Sequence, residues 1–435
     1  MVQVFGHISI QPDWTIDVAN ALESMTASAG KGNTGGSGKF WVSAYRQGEP
    51  SVHGHIQVTK SVAADGSTLV NYSVTDGSDI AAEFVNARQL RLSSRSVLES
   101  ATVLYTAPRT TVACTQVGRG SGVLCFDVSP FGGLAVVGGD DGVLDVYDTR
   151  SNRHRAQLAG HVGDLTSSVF FPSGQVVLSG ASDMRLRVWS ASDGTNPTTL
   201  TGHTSAITDT AIVGVGKNIL SAGKDGTMRL WNCAHASTLH TFSLSAMPLN
   251  AIHLVARPGS PEPTDMPPNE FETAGKLVAV ACEDGRALLV DLRLRTVTAY
   301  GAINDAPVRA VAYDPVAGRL FSGRADGVVD VWLTSDTHPS APVYSFKRNN
   351  SPISVLRLVL RAEGLPLLCV ATEDGQLFLV AVTITGSTVS AEVVEELVAF
   401  DVDPITQVRV VPSDAPAAAR QSIWASGRSA NIYEF

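Results

Sequence analysis

Cysteine is scarce in this sequence, and long apolar runs are absent. The five cysteines are odd in number and scattered, with no CxxC pair, so neither a disulfide framework nor a zinc site is indicated. Eighteen consecutive apolar residues occur nowhere, so hydropathy predicts no membrane-spanning helix. The first residues also lack the basic segment followed by an apolar one that a secretion signal requires. We therefore expect a soluble intracellular protein in the cytoplasm, with the nucleus as an open second location.

Basic and aromatic residues are also in the minority. Lys and Arg number 32 against 41 Asp and Glu, and this net charge of -9 argues against a nucleic-acid backbone and favours a basic protein surface as partner. Aromatic residues make up 6% of the chain, whereas glycine is plentiful at 39 residues. This mixture is typical of many short strands joined by turns.

Signatures of catalysis are missing as well. Neither a G-x-S-x-G element nor an HExxH motif occurs, and the His-Gly-His run at 53–55 has no nearby carboxylate or cysteine ligands. The run Gly35–Lys39 looks like a phosphate-binding loop, but Asn33 and Phe40 stand where that loop needs Gly and Ser or Thr. We interpret this run as a linker. The sequence thus predicts no enzyme, no metal and no cofactor.

The sequence does contain two consecutive copies of one pattern between residues 160 and 233. Each copy has a Gly-His pair, a Ser, a turn Asp and a Trp: Gly160, His161, Ser179, Asp183 and Trp189, then Gly202, His203, Ser221, Asp225 and Trp231. Each landmark of the second copy lies 42 residues after its counterpart in the first. This spacing falls within the period of about 40 to 45 residues that characterises a WD40 propeller blade.

The four polar types of the pattern can meet in one hydrogen-bonded chain within a blade of four antiparallel strands. Buried polar groups must be paired, and a fully paired network also fixes a single strand register. We therefore interpret the His, Ser, Asp and Trp as structural. A fifth copy keeps Ser322, Asp326 and Trp332 but has no His. Its network should be shorter.

Alignment on the turn Asp extends the repeat to seven copies. The turn residues are Asp141, Asp183, Asp225, Asp284, Asp326 and Asp374, with Ser429 in a degenerate seventh copy. That copy ends on Phe435 without a fourth strand, and we expect Ser100–Thr106 to supply it, because ring closure leaves no long free edge. The predicted fold class is all-β: a seven-bladed WD40 β-propeller over residues 97–435 with a small N-terminal α+β domain over residues 1–96.

Residues 1–96 do not carry the repeat. Their apolar patterning predicts strands at Val2–Ile10, Phe40–Tyr45, His55–Val62, Leu69–Val74 and Leu90–Leu92, and helices at Asp13–Ser24 and near Ile80–Ala87. In the fourth repeat copy, the Pro-rich insertion Ala256–Ala274 should form a mobile loop between the first two strands, because its prolines prevent strand pairing.

Some segments go beyond the generic repeat. They are Phe170–Gly180 and Asp209–Val213, supported by Gly160–Val162, Gly202-His203 and Asp225–Thr227. Along these segments the chain resembles one family within the WD40 class, the proteasomal ATPase-associated factors, which include a fungal assembly chaperone for the proteasome regulatory particle. A non-repeat N-terminal region and the run Gly259–Glu262 in the fourth copy are similar too.

The resemblance implies a non-enzymatic chaperone that binds the C-terminal domains of proteasomal AAA-type ATPase subunits and assists assembly of the regulatory-particle base. It further implies an acidic binding face formed by the turns between second and third strands and by the loops leading into each blade. Candidate contact residues are acids that the repeat itself does not require: Asp140, Asp164, Asp209, Glu283, Asp305, Glu373 and Asp403. We expect the free protein to be a monomer.

Two alternatives stay open at this point. The seven acids are also what solvated loops of any propeller would carry, and Lys224, Arg324 and Arg428 depart from a uniformly acidic face. The fold alone is equally compatible with a generic WD40 adaptor, such as a ubiquitin-ligase substrate receptor or a ribosome-assembly scaffold.

Overall fold

The computed structural model describes residues 2–23, 37–62, 68–76, 79–98, 101–114, 122–259, 269–301, 305–334, 341–361, 365–385, 388–412, 421–429 and 431–435. One helix, α1 (Trp14–Glu23), lies in the N-terminal region. The strands of that region are β1 (Val2–Val4), β2 (His7–Ile10), β3 (Ser37–Tyr45), β4 (Val52–Val62), β5 (Thr68–Thr75), β6 (Ile80–Asn86), β7 (Gln89–Ser94), β8 (Thr102–Thr106) and β9 (Thr110–Ala113). No helix in these residues is long and apolar enough to cross a membrane.

The remaining strands, taken with β9, form the seven four-stranded blades of the propeller, and strands of the N-terminal region extend the sheets of blades five and six. Blade one is β10 (Cys125–Val128), β11 (Leu134–Gly138), β12 (Val143–Asp148) and β13 (Arg153–Ala159); blade two is β14 (Leu165–Phe170), β15 (Val176–Ala181), β16 (Arg185–Ser190) and β17 (Thr198–Thr201). Blade three is β18 (Ile207–Val213), β19 (Asn218–Gly223), β20 (Thr227–Asn232) and β21 (Ser237–Ser243); blade four is β22 (Leu249–Ala256), β23 (Lys276–Cys282), β24 (Ala287–Asp291) and β25 (Val297–Tyr300). Blade five is β26 (Val308–Asp314), β27 (Arg319–Arg324), β28 (Val328–Leu333) and β29 (Tyr344–Lys347); blade six is β30 (Ile353–Val359), β31 (Leu367–Thr372), β32 (Leu377–Thr385) and β33 (Thr388–Leu397). Blade seven is β34 (Ile405–Pro412), β35 (Gln421–Gly427), β36 (Asn431–Glu434) and β9.

Burial within a blade decreases from the second strand to the fourth. In blade three, all six residues of β19 are buried, whereas β21 has only Phe242 buried. The second strand is covered on both faces by neighbouring blades, so its sequence is a continuous apolar run and not an alternating one. The predicted seven-bladed propeller is therefore confirmed.

The tight turns between second and third strands need a residue with positive φ. Glycine supplies it after the turn Asp in most blades, as Gly226 does at φ 74°. In blade two the residue is Met184, which adopts φ 65° although a side chain is disfavoured there. The one departure from Asp-Gly in the first six copies therefore keeps the same turn geometry.

Ring closure differs from the sequence prediction. Thr110–Ala113 and not Ser100–Thr106 supplies the fourth strand of blade seven, and β9 runs antiparallel to β36 with Val112 opposite Ile432. Val112 is fully buried in a cluster with Val411, Trp424 and Ile432. The segment predicted for this place forms β8, which pairs in parallel with β33 and so extends blade six. Closure therefore uses the segment that is nearer in sequence to the first blade.

The N-terminal region packs on blades five and six. The helix predicted near Ile80–Ala87 is wrong: this segment is strand β6, paired with β7, because its buried and exposed residues alternate with the period of a strand. The predicted strand Val2–Ile10 is divided in two, since β1 joins β29 of blade five while β2 joins β3 in a separate sheet. The other predicted strands and the helix are confirmed.

One continuous apolar core joins the N-terminal region to the propeller. Trp14 of α1 and Phe40 of β3 are buried in the same cluster as Phe346 of blade five and Phe378 of blade six. A buried ion pair joins the two blades beneath this core, because the guanidinium of Arg348 after blade five holds both carboxylate oxygens of Glu396 in blade six at 3.0 and 2.6 Å. The N-terminal sheet is therefore held in place against blade six.

The insertion in blade four is fixed at the end that the structure describes. Residues 260–268 lie outside the described residues, but 269–274 contact blade three. The amide of Phe271 donates to the side-chain oxygen of Asn218, and the carboxylate of Glu272 accepts from the amide of Val215 at 2.7 Å. The expectation of a mobile loop is therefore wrong for this part of the insertion, since its backbone is bonded to the neighbouring blade.

Ring closure through β9 leads to a stability prediction. Val112→Asp should lower the free energy of unfolding by about 4 kcal/mol or more, because it places an unpaired charge inside the blade-seven cluster. Thr111→Asp, on the exposed face of the same strand, should cost less than about 1 kcal/mol. Urea unfolding followed by tryptophan fluorescence measures the two changes, and equal losses would contradict the assignment of β9.

Candidate protein-binding face

Blade two contains a complete buried chain of side-chain hydrogen bonds. The Trp189 indole N–H donates to Ser179 Oγ at 2.8 Å, and Ser179 lies 2.8 Å from His161 Nε2. His161 Nδ1 donates to Asp183 Oδ2 at 2.9 Å, because a carboxylate can only accept. Nε2 is then the acceptor for the serine hydroxyl. The structure thus brings together all four residues that the sequence pattern grouped.

Blade three repeats this arrangement nearly atom for atom. The corresponding distances are 2.8 Å from Trp231 to Ser221, 2.7 Å from Ser221 to His203 and 2.8 Å from His203 to Asp225. The carboxylate of Asp225 also accepts the backbone N–H of Thr204, as Asp183 accepts that of Val162. The network therefore ties each turn to the loop that leads into the same blade.

Blade five has a shorter chain of side-chain hydrogen bonds, and an arginine pairs with its turn aspartate. The Trp332 indole N–H donates to Ser322 Oγ at 2.9 Å, as in the other blades. Asp326 instead pairs with Arg324, whose guanidinium nitrogen lies 2.6 Å from its carboxylate. Tyr300 packs against Trp332 with a ring separation of 6.1 Å, the same as between His161 and Trp189. An aromatic ring therefore takes the packing position of the missing histidine.

Burial sets the protonation of the two histidines. Burial lowers the pKa of His161 and His203, and this effect outweighs the neighbouring carboxylates of Asp183 and Asp225, which raise it. Burial alone would raise the pKa of Asp225, but its hydrogen bonds lower it to about 2. The network is thus a neutral imidazole beside an ionised carboxylate, which is an arrangement that positions a turn.

The turns and the loops that lead into the blades lie side by side on one end of the propeller, called here the turn face. Backbone hydrogen bonds join them in successive blades: Ser182 N to Asp164 O, Lys224 N to Ala206 O, Glu283 N to Pro248 O, Ala325 N to Pro307 O and Glu373 N to Pro352 O. These repeated contacts fix the positions of the side chains that project from this face.

Four of the seven candidate acids are exposed on the turn face. They are Asp140 and Glu373 beside turns, and Asp164 and Asp305 in lead-in loops. None of the four makes a side-chain hydrogen bond or an ion pair with another residue in the described part of the chain. Their charges are therefore available to a partner.

The other three candidates have partners within the protein. Glu283 Oε2 lies 3.3 Å from Arg309 and accepts from Asn250 at 2.8 Å. Asp209 lies on the innermost strand β18, where it accepts the backbone N–H of Ile252 in the next blade at 2.9 Å. Asp403 accepts the backbone N–H groups of Arg428 and Ser429, and so supplies the carboxylate that the seventh turn itself does not have.

Sequence reasoning missed the apolar side chains of this face. Val162, Met184, Met247 and Val402 project from its turns and lead-in loops, and Val162 and Val402 are 77% and 78% exposed. A usable signal was Met184, because it replaces the expected turn glycine. Two cations of the face are neutralised within their own turns, Arg286 by Asp284 and Arg324 by Asp326. The face therefore combines free carboxylates with exposed apolar groups, and Lys224 and Arg428 remain exposed cations on it.

The remaining candidate groups for chemistry are clusters of metal-ligating side chains and the cysteines. Within the described ranges, no group of three or more His, Cys, Asp or Glu side chains is placed to hold a metal ion. All five cysteines are free thiols, and burial raises the pKa of Cys114 to about 12, which keeps it protonated. These features are those of packing residues.

The sequence of this chain is similar to a known family model and to known proteins. The family model described as WD domain, G-beta repeat matches residues 112–148, 152–190 and 194–232. The chain is 36% identical over 325 residues to the Probable proteasomal ATPase-associated factor 1 of Dictyostelium discoideum, which covers 69% of this chain and 73% of that protein. It is 30% identical over 137 residues to the Proteasomal ATPase-associated factor 1 of Homo sapiens, with 32% of each chain covered. The human match therefore spans about a third of that relative's length.

The networks of blades two and five provide matched serine substitutions. Ser179→Ala should cost about 2 to 3 kcal/mol of unfolding free energy, because it leaves the Trp189 donor and the His161 acceptor without a partner. Ser322→Ala should cost only about 1 to 2 kcal/mol, because it leaves the Trp332 donor alone unpaired. Urea unfolding of the two variants measures the difference, and a larger loss in blade five would contradict the shared network.

The buried imidazoles also predict an acid-sensitive fold. Their folded-state pKa lies below the unfolded value, so the unfolded chain binds more protons and stability should fall as the pH drops below about 6.5. The slope is at most about 1.4 kcal/mol per pH unit for each histidine. The double variant His161→Gln, His203→Gln should have a lower free energy of unfolding than the parent at pH 7.5. Between pH 7.5 and 5.5, however, its free energy of unfolding should fall by less than that of the parent. Urea midpoints across this range test it, and parallel curves would count against neutral histidines.

Proposed function

The chain belongs to the WD40-repeat family of proteasomal ATPase-associated factors, and from this premise we propose that it is a non-enzymatic chaperone. It binds the C-terminal domains of proteasomal AAA-type ATPase subunits and assists assembly of the regulatory-particle base. The observation that carries the proposal is the set of four exposed carboxylates on the turn face: Asp140, Asp164, Asp305 and Glu373. None of the four makes an ion pair with a described residue, although Asp305 also interacts electrostatically with Arg324.

Electrostatics explains how such a face selects a basic partner. Each exposed ion pair contributes only about 0.2 to 1 kcal/mol, so no single acid decides binding. Several carboxylates of one sign on one face instead create a potential that speeds the encounter with a positively charged surface. The overall charge of -9 acts in the same direction.

Apolar contacts supply the short-range part of the interface. Protein interfaces combine an apolar centre with a polar rim, and Val162, Met184, Met247 and Val402 project among the acids of the turn face. Methionine adapts its shape to a partner surface. These side chains give the turn face apolar groups that a docked partner can cover.

The proposal is tested by charge reversal. The variant Asp140→Lys, Asp164→Lys, Glu373→Lys should bind isolated proteasomal ATPase C-terminal domains at least about tenfold more weakly at low salt, mainly through slower association. The loss of affinity should shrink in 0.5 M salt, because salt screens exposed charges. The screening length falls from about 8 Å at physiological ionic strength to about 3 Å at 1 M. Surface plasmon resonance at both salt concentrations separates the association and dissociation rates.

A second variant controls for net charge. Asp76→Lys, Glu83→Lys, Glu392→Lys changes the total charge equally, but these exposed residues lie on the N-terminal sheets and on the outer strand of blade six. Its affinity should stay within about threefold of the parent. If the two triple variants bind equally well, the turn face is not the binding site; if they lose affinity equally, net charge and not location is responsible.

A further inference from the structure

A cleft separates the N-terminal sheet from blade six at the turn face. Two adjoining recesses of about 320 and 380 Å³ form it, and both are lined by His7, Tyr45, Arg348, Asp374 and Gln376. One wall is the edge of β2 with the outer face of β3. The opposite wall is the β31–β32 turn together with residues 397–402. Because that turn belongs to the turn face, the cleft opens beside Glu373.

Carboxylates give the cleft an uncompensated negative charge. Asp374 accepts from Asn349, Thr372 and Gln376, all of which are neutral donors. Asp401 is exposed on the rim and makes no side-chain contact that would neutralise it among the described residues. Neither acid forms an ion pair among the described residues, so the two carboxylates favour a cationic occupant.

The cations near the cleft do not cancel this charge. Arg348 is buried and bonded to Glu396 through both carboxylate oxygens. Burial and the nearby Arg348 lower the pKa of His7 to about 3, so its imidazole is neutral at physiological pH. Arg46 shares one recess with Asp374 but is absent from the recess that contains both Asp374 and Asp401. The recess beside Asp374 and Asp401 therefore stays acidic.

Aromatic rings line the wall opposite these acids. Trp41 and Tyr45 are 37% and 36% exposed on the outer face of β3, and the Tyr45 ring stacks on His7 with centroids 5.3 Å apart. An exposed tryptophan or tyrosine face attracts a lysine ammonium or an arginine guanidinium. The aromatic wall and the acidic wall thus favour the same kind of side chain.

Arg348 lies at the floor of the cleft and is only 4% exposed. Its guanidinium is bonded to Glu396 and to Gln376, and its Nε is buried as well, so this residue offers no free cation to the cleft.

From these observations we propose that the cleft binds an extended, lysine- or arginine-containing peptide segment. The inference rests on the proposed function in one respect, because the segment is assigned to the partner that docks on the adjoining turn face. Cationic side chains of the segment lie between the aromatic rings of Trp41 and Tyr45 and the carboxylates of Asp374 and Asp401. The N-terminal sheet thereby becomes part of the binding surface.

The test uses the full chain and a defined probe. The probe is a fluorescein-labelled peptide that alternates Lys and Leu, with a matched peptide carrying Glu for Lys. The variants are Trp41→Ala with Tyr45→Ala, and separately Asp401→Asn, which alters an exposed side chain and should leave folding intact. Each should bind the lysine peptide about tenfold more weakly in fluorescence anisotropy. The glutamate peptide should not bind the parent.

Matched controls lie outside the cleft. Phe131→Ala removes a 66% exposed aromatic ring from the β10–β11 loop on the opposite end of the propeller, and Asp76→Asn removes an exposed carboxylate after β5. Both should keep the parent affinity within about twofold. A lysine peptide that does not bind the parent, or that binds the cleft variants and the controls alike, overturns the inference.

The same variants separate this inference from the proposed function. Titration with proteasomal ATPase C-terminal domains should show about tenfold weaker binding for the cleft variants, in addition to the loss caused by the turn-face lysines. If only the turn-face variant loses the ATPase domain, the proposed function holds and the role of the cleft is wrong. If the parent does not bind the ATPase domain but binds the lysine peptide through the cleft, the peptide site holds and its assignment to this partner is wrong.

Discussion

The pairing of Thr110–Ala113 with the last strand is the contact on which the remaining architecture depends. A propeller with an unpaired seventh blade would expose two strand edges and the apolar cluster around Val112 and Trp424. Once β9 is used for closure, the preceding strand β8 cannot stay in the ring and pairs instead with the outer edge of blade six. That pairing places β6 and β7 beside blade six and brings the N-terminal sheet next to the turn face. The position of the cleft is thus a consequence of ring closure.

The turns of the face are held by different side chains that satisfy one requirement. In blades two and three, a histidine and an aspartate join the turn to the lead-in loop. In blade six, Asn349 of the lead-in loop donates to Asp374 of the turn. In blade seven the direction is reversed, because Asp403 of the loop accepts from the backbone of the turn. What recurs is a carboxylate that bridges loop and turn, since the backbone N–H groups there need an acceptor. The later copies of the repeat have lost the sequence pattern, but their turns are still bonded to the lead-in loops.

Sequence reasoning succeeded where the signal was periodic and failed where the deciding contact was distant. The 42-residue step and the Asp-Gly turns identified the blades because each blade repeats the same local chemistry. Thr102–Thr106 and Thr110–Ala113 are both short segments rich in Thr and Val, so local pattern could not tell which of them meets β36. Asp209 and Asp403 appeared to be free loop acids because their partners are backbone N–H groups 43 and 25 or more residues away. A carboxylate that accepts from a distant backbone has no signature in its own neighbourhood.

The reduction from seven candidate acids to four changes what the face can do. Glu283, Asp209 and Asp403 accept hydrogen bonds from donors within the propeller and so stabilise it. Their charges therefore attract a partner less strongly. The remaining four are spread over separate blades and are individually weak, which suits fast capture but not discrimination between basic surfaces. Discrimination requires contacts that a wrong partner cannot satisfy. The cleft beside blade six has these properties, because an aromatic wall and two carboxylates impose shape and charge together. Recognition by this protein would then depend on the N-terminal sheet as much as on the propeller that carries the repeat.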